Sequence, residues 1–230
     1  MTGSKMFDWP LPAIVGLFDV NRPLLMVIDY PMSGVELFGT IFNLASVYLM
    51  ARRNIWTWPL GLVGVVLFAV LFYQIRLYGD FFEQIYYVGA LLYGWRLWAQ
   101  TPETSSHTEL HFSSWTDIGR GLAVTLLGGV LLANLLMRLP GLLPTFFPEP
   151  ASFVYVDALT TSGSFVAMVL EAKRRIEAWI YWTVINLAGI WLYLVKGVPF
   201  VAGLYVLFLI IGVYGYIKWW TAGSRAIRQS

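Results

Sequence analysis

Sliding the 230-residue sequence by 121 positions lays Ser33–Trp98 on Val154–Trp219 without a gap. Matches include Val35/Val156, Thr40/Thr161, Leu49/Leu170, Ala51/Ala172, Ile55/Ile176 and Leu71/Leu192. Chance identities between apolar stretches are common, so the weight rests on the rarer landmarks held in one frame. These are Arg53/Arg174, Trp58/Trp179, Tyr93-Gly94/Tyr214-Gly215 and Trp98/Trp219. Each unit contains three apolar runs of membrane-crossing length, and a seventh run lies between the units. Three crossings reverse the direction of the chain, so the two units can point the same way only if an unpaired crossing separates them. The expected fold is an all-α polytopic membrane protein: seven transmembrane helices as two parallel three-helix repeats plus a linker helix, 3+1+3. Parallel repeats related by an axis along the membrane normal are one transporter plan, with substrate held at the repeat interface.

Composition agrees, because 58% of residues are hydrophobic, 12% are charged and mean hydropathy is +0.67. A soluble core does not account for so many long uncharged runs. The spans are expected near Ser33–Met50, Ile55–Gln74, Phe81–Ala99, Ile118–Met137, Phe153–Ala172, Ala178–Val195 and Val201–Trp219. The resulting organisation is an N-terminal interfacial segment (1–32), a first repeat (33–100), a loop and linker helix (101–150), a second repeat (151–220) and a cytoplasmic tail (221–230). Residues 1–32 lack the basic start and uninterrupted apolar stretch of a signal peptide. Ten Lys and Arg residues, among them Arg52, Arg53, Arg96, Lys173, Arg174 and Arg175, collect on one side of the spans, against five on the other. That bias places the C-terminus in the cytoplasm and the N-terminus outside.

Several chemistries are excluded. Without Cys there is no disulfide or thiolate site, and His107 and His111 lie in the polar stretch Thr101–Asp117, outside the apolar runs. No metal, cofactor, catalytic group or nucleic-acid surface is expected, so the chain reads as a non-enzyme. No Lys or Arg falls near the centre of a span, which leaves a phosphate or carboxylate without a counter-charge. No central Asp or Glu offers a proton relay or a sodium site.

The stretch Glu177–Asn186 opens a span in which Trp179, Trp182, Asn186 and Tyr193 share one helical face. A mid-membrane amide beside an indole is costly against lipid, so this face is expected to line a cavity. Its repeat partners, Gly61 for Trp182 and Val65 for Asn186, make the cavity polar on one side and smooth on the other. Each repeat opens with an acid, a Thr and a small polar residue: Glu36, Thr40 and Asn43, then Asp157, Thr161 and Ser164. The acids are read as helix-start chemistry, while Asn43 and Ser164 suit packing or cavity lining equally. Gln84 and Tyr205 are repeat partners on the third spans and are read as lining; Glu83, beside Gln84, either is solvated or faces the vestibule. A site of indole faces and amides suits a neutral or cationic flat ring.

The strings Val35-Glu36-x-x-Gly39-Thr40, Gln74-Ile75-x-Leu77-Tyr78, Tyr93-Gly94-Trp95-x-x-Trp98 and Glu177-x-Trp179-x-x-Trp182-x-x-x-Asn186 resemble the PnuC family of bacterial nicotinamide riboside transporters. The resemblance covers about residues 33–220. It implies a full-length SWEET-like arrangement in the inner membrane, carrying a vitamin B3 precursor down its gradient, with trapping by a cytoplasmic kinase. It carries the family's indole and amide over to Trp182 and Asn186 and its third-span glutamine to Gln84. The candidate substrate-binding set is therefore Trp182, Asn186, Gln84, Asn43, Ser164, Tyr205, Thr161 and Thr40. Expected partners are nicotinamide riboside and the lipid bilayer, and the sequence is compatible with a homo-oligomer. A thiamine, riboflavin or sugar facilitator on the same scaffold, or a membrane receptor that moves no substrate, are the competing readings.

Overall fold

The computed structural model describes residues 18–27, 30–74, 78–100, 110–145, 153–195 and 199–229. Among these residues there are seven helices: α1 (Gly34–Ala51), α2 (Thr57–Gln74), α3 (Tyr78–Ala99), α4 (Trp115–Leu142), α5 (Val154–Ala172), α6 (Ala178–Val195) and α7 (Pro199–Gln229). Each expected span is present, most within a few residues of its expected bounds. The exception at the C-terminus is plain: α7 runs on through Gln229, so most of the expected tail is helix. Likewise α4 continues through Pro140 to Leu142, where a loop was expected. His107 and residues 1–17 lie outside the described residues.

The end of the expected interfacial segment is instead a hairpin. Strand β1 (Pro23–Val27) pairs antiparallel with β2 (Tyr30–Ser33), leading directly into α1. Ser33 then caps α1, its Oγ accepting from the Glu36 amide. The Glu36 carboxylate in turn accepts from the Tyr30 hydroxyl at 2.8 Å. Burial and the adjacent Glu36 push the Tyr30 hydroxyl up to about 12. The sequence Ser33-x-x-Glu36 is thus a helix-start device tied to the hairpin, as the acid's position suggested.

The helices form a closed ring. Neighbours pack in the order α1, α2, α3, α5, α6, α7 and back to α1, while α4 packs outside against α5. Exchanging α1 with α5, α2 with α6 and α3 with α7 leaves that order unchanged, so the ring has the two-fold character of the repeat. The α1–α2 and α5–α6 links match at the level of single bonds. Arg53 and its partner Arg174 both take left-handed backbone conformations, with φ of 57° and 55°. Their amides donate to Met50 O and Glu171 O, both at 2.9 Å.

At the arginine-rich end the ring is closed by four indoles. Trp58 meets Trp98 edge-on at 5.3 Å, and Trp179 meets Trp219 edge-on at 5.5 Å. Trp98 and Trp219 join the two pairs at 6.5 Å. All four are buried. Trp98 Nε1 donates across the α3–α5 seam to Ala172 O, and Trp219 Nε1 donates across the α7–α1 seam to Met50 O. Gly94 and Gly215 admit the rings of Trp58 and Trp179; a Cβ at Gly94 would lie 2.2 Å from Trp58 Cη2.

Five of the seven helices are long and apolar enough to cross a membrane. The other two, α3 and α5, are less apolar because they carry Glu83, Gln84, Tyr87, Ser162, Ser164 and Glu171. They pack against each other, and four of those side chains face the protein interior strongly enough to be buried. Large apolar side chains such as Leu127, Leu131, Val184, Leu187 and Ile210 are exposed around the ring and on α4, as a lipid-facing perimeter requires.

Candidate functional site

The seam between α3 and α5 supplies a polar cluster. The Tyr87 hydroxyl lies 2.9 Å from Ser164 Oγ and 3.0 Å from Glu83 Oε1, and Ser164 Oγ lies 3.3 Å from the same carboxylate oxygen. Ser164 also donates to Thr161 O at 2.8 Å. Tyr205 of α7 reaches the same region, within electrostatic range of the Tyr87 hydroxyl. Its ring lies on Gly189, where a Cβ would fall 2.4 Å from Tyr205 Cδ1, and stacks on Tyr193 at 5.4 Å. The structure therefore brings together Ser164, Thr161 and Tyr205 from the expected set, with Glu83 and Tyr87 added. Gln84, adjacent to Glu83, is buried.

On α6, Asn186 is buried and faces α7, its Nδ2 lying 4.0 Å from where a Cβ on Gly212 would stand. It does not point into acyl chains. Trp182, one turn nearer the arginine-rich end, is half-buried and packs against the tryptophan layer. Glu171, buried on α5, lies beside it.

Three expectations need correction. Trp179, expected to line the cavity with Trp182 and Asn186, is fully buried in the four-indole layer. Helical spacing gave the shared face correctly but not what covers its end. Asn43 does not reach the α3–α5 seam: its Nδ2 donates to Gly39 O at 2.9 Å and fills the space over Gly64 of α2. It packs two helices of its own repeat together. Thr40 is half-buried on α1, one turn before Asn43. Finally, the interior is not free of acidic groups, since Glu83 and Glu171 both face it. Glu171 was missed because it precedes Lys173-Arg174-Arg175 in sequence and reads as part of a solvated charge cluster. The available signal was its repeat partner, the apolar Met50.

Basic groups stay out of the interior. Among the described residues the buried polar side chains are Ser33, Ser46, Thr57, Gln84, Ser162, Ser164, Glu171 and Asn186, with no Lys or Arg among them. At the arginine-rich end, Arg174 lies over the Trp98 ring at 4.8 Å. Burial and the nearby Arg53 hold its guanidinium below the usual range. His111 takes part through its backbone, which bridges to Arg174 and Ile176, while its side chain is exposed. No group of three or more His, Cys, Asp or Glu residues able to hold a metal occurs among the described residues.

Comparison with known proteins agrees with this geometry. The nicotinamide mononucleotide transporter family model matches residues 33–221. The nicotinamide riboside transporter PnuC of Escherichia coli is 28% identical over 219 residues, 86% of this chain and 91% of that protein. The riboflavin/roseoflavin transporter RibM of Streptomyces davaonensis is 27% identical over 212 residues, 91% of this chain and 95% of that one. A crystal structure of the vitamin B3 transporter PnuC superposes with a TM-score of 0.68 at 24% identity, covering 94% of this chain and 88% of that one. The shared fold is this helical ring. With the family model spanning the ring from the first helix to the last, the chain belongs to the nicotinamide mononucleotide transporter family and is a membrane transporter, not an enzyme.

Proposed function

We propose that the protein carries nicotinamide riboside across the bacterial inner membrane by facilitated diffusion, with the two three-helix units alternating access to a site between them. The observation that carries this reading is the buried polar set: amides, hydroxyls and one carboxylate with no basic side chain. Nicotinamide riboside has a cationic pyridinium ring, a carboxamide and ribose hydroxyls but no phosphate. Aromatic faces attract the ring, and neutral donors and acceptors satisfy its polar edges. A phosphate would enter an interior that offers it carboxylates and no counter-charge. Discrimination against the phosphorylated form is what allows a cytoplasmic kinase to trap the substrate, so net uptake needs no coupling ion.

Trp182 stacks on the ring in this reading, Asn186 and Gln84 bind polar edges, and Ser164, Thr161 and Tyr205 complete the wall. The excess of basic residues at the tryptophan-closed end supports placing that end in the cytoplasm. The test is uptake of labelled nicotinamide riboside into proteoliposomes, with thiamine, riboflavin and a sugar as competitors. Saturable uptake indifferent to imposed proton and sodium gradients is expected. Dependence on either gradient would overturn the facilitator mechanism. Saturable uptake of riboflavin alone would shift the substrate to that named for the Streptomyces relative.

A further inference from the structure

The two seams that join the repeats, α3 to α5 and α7 to α1, match at one end of the ring and differ away from it. At the arginine-rich end each carries the same indole bond, Trp98 to Ala172 O and Trp219 to Met50 O. About three turns along α3 from Trp98 the match ends. There the Tyr86 hydroxyl donates to Phe165 O at 3.0 Å, and its ring lies against that of Phe165 with centroids 3.9 Å apart. The Tyr87 hydroxyl reaches Ser164 Oγ at 2.9 Å, and Ser164 Oγ reaches the Glu83 carboxylate at 3.3 Å. All three links run between α3 and α5.

The equivalent side chains of the other seam cannot form them. Glu83, Tyr86 and Tyr87 have Leu204, Leu207 and Phe208 as repeat partners on α7, none with a polar side-chain atom. Ser164 and Phe165 correspond to Asn43 and Leu44 on α1. Asn43 is turned away, onto Gly39 O and Gly64 of its own unit. The far end of α1 is fastened within the first unit instead. Gln74, the last residue of α2, donates to Phe18 O at 2.6 Å and accepts from the Val20 amide at 3.2 Å. From Val20 the chain runs on into the hairpin, and β2 leads into α1. The repeat partner of Gln74 is Val195, whose side chain cannot make this clasp.

Parting α3 from α5 in this half would strip Tyr86, Tyr87, Ser164 and Glu83 of partners within a bilayer, where an unmet polar group is expensive. Parting α7 from α1 at the equivalent height exchanges apolar side chains for acyl chains, which are as apolar as leucine. The first opening is opposed and the second is close to neutral. We propose that, in the half away from the arginines, the α7–α1 seam is the doorway and the α3–α5 seam is its hinge. Solute then enters between α1 and α7, and the hairpin and α2 travel with α1. The inference rests on the alternating-access reading above and names the seam that opens.

Because the chain has no Cys, spin labels attach only where cysteines are introduced. Ile85→Cys with Leu159→Cys spans α3–α5, and Val206→Cys with Phe38→Cys, their repeat partners, spans α7–α1. All four positions are exposed. Each labelled protein is reconstituted in proteoliposomes and read by double electron–electron resonance. Without substrate, the α7–α1 pair should give a broad or two-peaked distance distribution and the α3–α5 pair a narrow one. Tyr86→Phe together with Tyr87→Phe should broaden the α3–α5 distribution. Equal widths, a broader α3–α5 pair, or no effect of the double replacement would overturn the proposal. The comparison of widths needs no replacement of either tyrosine, so it decides alone should that variant fold poorly. Nicotinamide riboside should then shift the α7–α1 distance by more than about 2 Å and leave the α3–α5 distance in place. Equal shifts in both pairs, or a shift in the α3–α5 pair alone, would also defeat the assignment. If the riboside moves neither pair while the substrate-free widths differ as expected, the doorway stands and the substrate reading falls.

Discussion

Gly94→Ala tests whether the indole layer is as tightly closed as it stands. The added Cβ would meet Trp58 at 2.2, 2.3 and 2.8 Å, at Cη2, Cζ3 and Cζ2. Ordinary contact begins near 3.4 Å, so the indole must move by about 1 Å or the helices must part. Neither is cheap. Trp58 has no exposed surface and is held edge-on by Trp98. Replacing Gly by Ala within a helix gains about 1 kcal/mol of propensity, whereas overpacking a close-packed site costs about 1–3 kcal/mol. Three contacts below 3 Å on a rigid bicyclic ring place this site at the upper end of that cost. The net effect is a loss of about 2 kcal/mol. In a soluble domain of this length each kcal/mol lowers the melting temperature by about 2–4 °C. Thermal unfolding of detergent-solubilised protein, followed by tryptophan fluorescence, is the assay. Gly215→Ala, which crowds Trp179 at 2.6 Å, should behave alike because the repeat duplicates the contact. Unchanged or raised melting temperatures for both variants would refute the closed layer.

Further outcomes follow from the same geometry. Tyr87→Phe removes a hydroxyl from between Ser164 and Glu83 and should destabilise by about 1–3 kcal/mol while weakening substrate binding, read by unfolding and calorimetry. Trp182→Ala should weaken binding of nicotinamide riboside at least several-fold, since a desolvated cation–π contact is worth about 2 kcal/mol; wild-type affinity by calorimetry would remove Trp182 from the site. Ser33→Ala deletes the cap of α1 and should cost about 1 kcal/mol with affinity unchanged, because the Ser33, Glu36 and Tyr30 cluster serves the hairpin rather than the substrate.

The architecture was legible because both of its signals survive in a single chain. Runs such as Ala178–Val195 have one length and one composition that suit a bilayer, and Arg53/Arg174 or Trp98/Trp219 repeat a bond, not merely a residue type. The hairpin was not legible: β1 and β2 are five and four residues long, and each contains a proline that weakens the strand signal. The site was half legible. Periodicity assigns residues to a face of one helix, and the faces it picked for Asn186 and Ser164 are buried. It does not say which helix covers that face. Asn43 and Ser164 are repeat partners with the same local pattern, yet one meets Gly64 of its own unit and the other meets Tyr87 across the seam. Glu83 and Glu171 illustrate the converse, since acids near span ends look solvated until the opposing helix is known.

The crossed indole bonds at the arginine-rich end have a mechanical corollary. Each half lends a tryptophan of its third helix to the other half's first helix, as two people clasp each other's wrists. Opening this end fully needs both grips to let go: separating α1 from α7 releases Trp219 from Met50, and separating α5 from α3 releases Trp98 from Ala172. A latch built in duplicate yields all at once, and a molecule so fastened has little room for a half-open doorway through which solutes could leak.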